Sequence, residues 1–86
     1  MKFCVIRIGI KYLYSIQSHY EHSTMTQWTE TDYYLGRLAD ILDDKDYRLA
    51  IFPTKENAEE FLNSGQGKEF NRPETKIVNL MEIESS

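Results

Sequence analysis

Phe52 to Leu62 reads F-P-T-K-E-N-A-E-E-F-L: a strand end, a turn and a short amphipathic helix. Pro53 has no N–H to offer a sheet ladder, so the strand stops there. Thr54 is placed to accept from the free N–H groups of the next helix. Asn57 stands where a full capping box has Glu or Gln, so the cap is a simple one. Over Lys55–Asn63, Ala58, Phe61 and Leu62 fall on one face, with Glu56, Glu59 and Glu60 outward. Acidic charge in the first turn suits the helix dipole. Gly65 and Gly67 end the helix. A single helix of this length does not stand alone in water, so the stretch predicts a small sheet with helix laid on it.

Upstream, Tyr47–Phe52 (Y-R-L-A-I-F) reads as the strand that Pro53 terminates. Before it, Tyr34, Leu38, Ile41 and Leu42 recur at helical spacing, with Thr31 or Asp32 as cap. Asp43, Asp44 and Asp46 oppose the dipole at a C-terminus, so that helix is expected to stop near Leu42. At the start, Lys2–Ile8 is rich in β-branched and aromatic residues, and Lys11–Ile16 (K-Y-L-Y-S-I) resumes as a second strand. A turn at Gly9 and Ile10 makes a hairpin; the alternative is one long strand bulged at Gly9. Gln17–Thr24 is polar without periodicity and reads as a loop, and Met25–Thr29 as a short strand. Downstream, Gly67–Glu74 is a polar connection and Thr75–Ile83 the last strand. The expectation is an α+β fold: a mostly antiparallel sheet of four or five strands with two helices packed on one face. Residues 1–84 form one domain, with Ser85 and Ser86 a loose tail.

Eighty-six residues bury a thin core. A net charge of −4 disfavours nonspecific nucleic-acid binding by the molecule as a whole. Cys4, the one cysteine, lies in an apolar run and reads as a small buried hydrophobe. Lacking a disulfide pair, a signal-peptide pattern and a long apolar span, the chain is expected in the cytoplasm.

Charge is unevenly distributed. No acid precedes Glu21, and that quarter holds Lys2, Arg7 and Lys11, three of the ten basic residues. Arg7, Lys11, Tyr12, Tyr14, His19 and Tyr20 are therefore the first candidates for binding a partner or RNA, because phosphates pair with cations while bases stack on rings. The plainer reading is a hairpin with ordinary outward-facing Lys and Tyr. The alternative interface is the acidic run Asp40, Asp43, Asp44 and Asp46, which would face a basic partner. It lacks the alternating ligands, central Gly and terminal Glu of a calcium loop. His19 and His22 lack the further ligands of a zinc site. Gly65-Gln66-Gly67 follows a helix and does not precede one, so it is no phosphate loop. No nucleophile elbow accompanies the serines. No cofactor is expected.

The F-P-T end at Phe52–Thr54, the K-E-N-A-E-E-F-L run and the K-I-V strand at Lys76–Val78 follow Val5-Ile6-Arg7, Lys11-Tyr12-Leu13 and Trp28. In this arrangement most of the chain resembles small phage-type α+β proteins. The shared residues are fold-forming. The resemblance implies that fold and a phage setting. Small proteins of T4-like phages include host-takeover and counter-defence factors, one of which neutralises a ribonuclease toxin with RNA involved. Thr31–Asp46 is longer than the pattern usually carries, and no functional residue transfers. The expectation is a non-enzymatic binding protein that inhibits or redirects a host factor, a protein or ribonucleoprotein, in the host cytoplasm and not at a membrane. The alternatives are an RNA-binding accessory protein and an oligomerising phage structural protein.

Overall fold

The computed structural model describes residues 3–21 and 27–84, with side chains described for 3–16 and 32–83. The elements run β1 (Cys4–Ile8), β2 (Lys11–Glu21), β3 (Gln27–Gly36), α1 (Leu38–Asp43), β4 (Tyr47–Leu49), α2 (Lys55–Leu62), a 3-10 turn (Lys68–Phe70), β5 (Thr75–Asn79) and α3 (Leu80–Glu84). This is an α+β fold on a five-stranded antiparallel sheet. The order is β3-β2-β1-β5, with β4 also paired to β2.

Gly9, at φ 64°, makes the left-handed turn that joins β1 to β2. The two strands pair only at Arg7–Tyr12 and Ile8–Lys11. Beyond that they splay, and residues 47–52 fill the fork. Tyr14, Ser15 and Ile16 of β2 pair with Leu49, Arg48 and Tyr47. On the other side, the Cys4 N–H donates to the Phe52 carbonyl and the Phe52 N–H to the Cys4 carbonyl, both at 2.8 Å. Backbone groups that the splayed strands would leave bare are thereby satisfied.

Strand alternation divides the sheet into two faces. One carries Ile6, Ile8, Leu13 and Ile77, and α2 closes it with Ala58 and Leu62, joined by Phe70. Phe61 anchors the helix, its ring 4.8 Å from Tyr33 and 5.4 Å from Phe52. Thr54 caps α2 as expected, its Oγ1 accepting from the Asn57 N–H at 3.1 Å. The opposite face carries Val5, Tyr14 and Gly36, and α1 covers part of it through Ile41, which is 2% exposed. The helices thus divide between the two faces. Gly36 makes this possible: with no side chain, it lets the Tyr14 ring and Ile41 close over β3.

Several sequence expectations are corrected. Gln17–Glu21 continues β2 and is not loop, because it pairs with Gln27–Thr31 of β3. Residues 22–26, which include the rest of that loop and the start of the Met25–Thr29 strand, lie outside the described residues. Tyr34–Gly36 is strand, and the helix begins only at Leu38, without a side-chain cap at Arg37. The final strand ends at Asn79, whose Oδ1 accepts from the Met81 N–H at 3.0 Å and turns the chain into α3. The Gly67–Glu74 connection contains a 3-10 turn that buries Phe70. Ser85 and Ser86 lie outside the described residues.

Candidate interaction face

Arg7 and Tyr12 are direct cross-strand partners on the face that α1 partly covers, and both are half-buried. The strand on the other side places Lys76 directly opposite Arg7. Two cations therefore sit side by side across a ladder, an arrangement that repels unless an anion answers it. Neither has a hydrogen-bond or ion-pair partner among the described residues. Lys76 was not singled out from the sequence; it sits in the K-I-V strand, and only the β1–β5 register brings it to Arg7.

Tyr14 lies on the same face but is engaged by other rings. Its centroid is 4.7 Å from Tyr47 and 5.9 Å from Tyr34. Burial pushes its hydroxyl pKa up, and the neighbouring Tyr47 hydroxyl adds to the shift. Lys11 pairs with Ile8, so it belongs to the opposite face, and it is exposed. His19 and Tyr20 lie farther along β2, across from Thr29 and Trp28. Seven and eight residues of extended chain put them over roughly 20 Å from Tyr12. Of the six residues proposed for one site, the fold brings Arg7, Tyr12 and Tyr14 to one face and leaves His19 and Tyr20 farther along β2, while Lys11, on the other face by register, still lines a cavity of about 380 Å³ with Tyr14, Arg37 and Asp40.

Within the acidic run, Asp40, Asp43 and Asp46 are exposed and Asp44 is half-buried. Asp44 Oδ1 accepts from the Asp46 N–H at 2.9 Å, closing the turn after α1. The Arg48 guanidinium donates to the carbonyls of Lys45 and Tyr47, holding the same turn from the other side. Among the described residues no group of three or more His, Cys, Asp or Glu is arranged to hold a metal ion. His22 lies outside the described residues, as does the side chain of His19. Cys4 is buried, as its apolar setting implies.

The same face holds a feature that sequence reasoning missed. Leu38 and Leu42 of α1, Leu49 and Ile51 of the β4 segment, and Leu80 and Ile83 of α3 line an apolar groove of about 340 Å³. Leu42 is 72% exposed and Ile51 47%. The groove was hidden because Leu80 and Ile83 read as strand residues; as a helix they form one of its walls.

No family model, curated protein or solved structure matches the chain. Among the described residues, no helix is long and apolar enough to cross a membrane.

Proposed function

We propose that this chain is a non-enzymatic binding protein of the phage type that inhibits or redirects a host factor, such as a defence or toxin component, in the host cytoplasm. One observation carries the reading: Arg7 and Lys76 stand opposite each other beside Tyr12, with no ion-pair partner among the described residues. A half-buried arginine next to a second cation and an aromatic ring suits a carboxylate or phosphate on a partner surface. The test is capture from host lysate with wild type and with Arg7→Glu, Lys76→Glu, alongside thermal melts. Loss of the captured factor with an unchanged melting temperature is the expected result. Equal capture by the double variant would remove the basis for this reading.

The same cations beside Tyr12 also favour a second reading, a small RNA-binding accessory protein, since single-stranded RNA offers phosphates and bases together. Affinity for a single-stranded oligonucleotide, measured as salt rises, separates the two. RNA contact through these cations must weaken steeply with salt.

A further inference from the structure

We propose that the cavity at the end of the β2–β3 ladder is a binding site for a nucleoside monophosphate. This goes beyond the function proposed above, because neither Arg7 nor Lys76 lines that cavity.

The cavity lies where β3 leaves the sheet for α1. Its 380 Å³ falls within the roughly 300–1,000 Å³ of small-molecule sites and leaves room beyond a lone phosphate. Tyr14 and Tyr47, with ring centroids 4.7 Å apart, wall it together with Leu35 and Ile41. Both rings are half-buried, so some of their surface remains for a planar group. Stacking on such rings is worth about 1–3 kcal/mol per base and tolerates any base. The charged part of the lining is Lys11, Arg37 and Asp40.

Strand register explains why two cations meet there. Tyr12–Gly36 is the last pair of the β2–β3 ladder, and Arg37 keeps an extended backbone at φ −72° and ψ 145°. Lys11 and Arg37 therefore come next in line, on strands roughly 5 Å apart. Among the described residues, the side chains of Lys11, Arg37 and Asp40 have no hydrogen-bond or ion-pair partner. Two adjacent cations suit a doubly charged phosphate better than a single carboxylate, and the arginine fork can grip two of its oxygens. Asp40 repels a bare anion, yet its carboxylate accepts hydrogen bonds from hydroxyl groups. A ligand that carries a sugar between phosphate and base answers all three kinds of lining: the cations, the acid and the rings.

The test is calorimetric titration at physiological ionic strength, where loose ion pairing is screened. The probes are AMP and UMP, with adenosine and inorganic phosphate as their parts. Each nucleotide is expected to bind about tenfold or more tightly than either part alone. Lys11→Gln with Arg37→Gln should weaken the nucleotides by about tenfold or more. Asp40→Ala should weaken them by less. All three positions are exposed, and thermal melts verify that the fold is kept. A 5′-phosphorylated trinucleotide presents the same chemistry at an RNA end and is expected to bind no tighter than AMP. Five results would overturn the proposal. These are no binding of either nucleotide, phosphate binding as tightly as AMP, affinity indifferent to the Lys11 and Arg37 pair, tighter binding by Asp40→Ala, or a trinucleotide that binds more tightly than AMP. Arg7→Glu with Lys76→Glu should leave nucleotide binding in place, so failure here and failure of the proposed function are separable.

Discussion

Gly67 packs so closely on Phe61 that a methyl group on Gly67 would overlap the Phe61 carbonyl oxygen and come within 2.7 Å of two of its ring carbons. The loop between them is tied by hydrogen bonds. The Ser64 hydroxyl donates to the Phe61 carbonyl at 2.6 Å, and the Gly67 N–H donates to that hydroxyl oxygen at 3.1 Å. Gly67 sits at an ordinary φ of −96°, so its requirement is one of space and not of backbone conformation. Gly67→Ala should cost about 1–3 kcal/mol by overpacking. Gly65→Ala, where nothing lies within 4 Å, should be near neutral. Urea unfolding of both variants checks the contrast; equal effects would mean that the α2 end is not held as described.

Phe61 itself ties α2 to the sheet. Its ring meets Tyr33, Phe52 and, at 6.5 Å, Phe70. It is half-buried, so Phe61→Ala is expected near the lower end of the usual range, about 3 kcal/mol. A loss below about 1 kcal/mol would show α2 to be undocked.

Tyr14 connects the second face to pH. Its folded pKa is raised, chiefly by burial. Between the unfolded value and that raised value, the folded state holds a proton that the unfolded state has released. Stability is thus fully present below about pH 10 and falls as pH rises beyond it. Tyr14→Phe should flatten that alkaline fall while lowering stability at neutral pH through loss of the hydroxyl's hydrogen bond with Tyr47, the ring contact being kept. Melting curves of the two proteins from neutral pH upward test this; parallel alkaline slopes would assign the fall to other groups.

Lys76→Glu turns a repulsive cross-strand pair into an attractive one. Stability should rise by roughly 0.2–1 kcal/mol while binding of an anionic partner weakens. Chemical denaturation measures the first effect and partner affinity the second. A destabilised Lys76→Glu would show that Arg7 and Lys76 do not feel each other as their register implies.

Local signals in the sequence were sufficient where they agreed with the fold. Thr54, Pro53 and the 55–62 periodicity yield α2 with its cap, and Gly9 yields its turn. Over Tyr34–Leu42 two patterns compete: Tyr34, Leu38, Ile41 and Leu42 fit a helix, while Tyr33–Gly36 also fits a strand covered on both faces. Pairing with β2 decides between them, and no local propensity encodes it. Asn79 with Glu82 three residues on carries a helix-start signature, masked by the apolar run around it. For the site, the charge asymmetry pointed to Arg7 and Tyr12. Lys76 and the apolar groove depend on strand register and on where α1 and α3 land, which only the assembled sheet determines.

The β1–β5 pairing sets the order in which the sheet is completed during synthesis. Ile6 lies opposite Ile77, so one edge of β1 waits about seventy residues for its neighbour to emerge. Its other edge is met early by β2 for two residues only, and the fork closes later, when Tyr47–Phe52 arrives. A nascent chain therefore carries β1, buried along almost all its length, as bare apolar edge for most of its translation. Folding should be largely post-translational, and a chain stalled before β5 should be held by chaperones or aggregate.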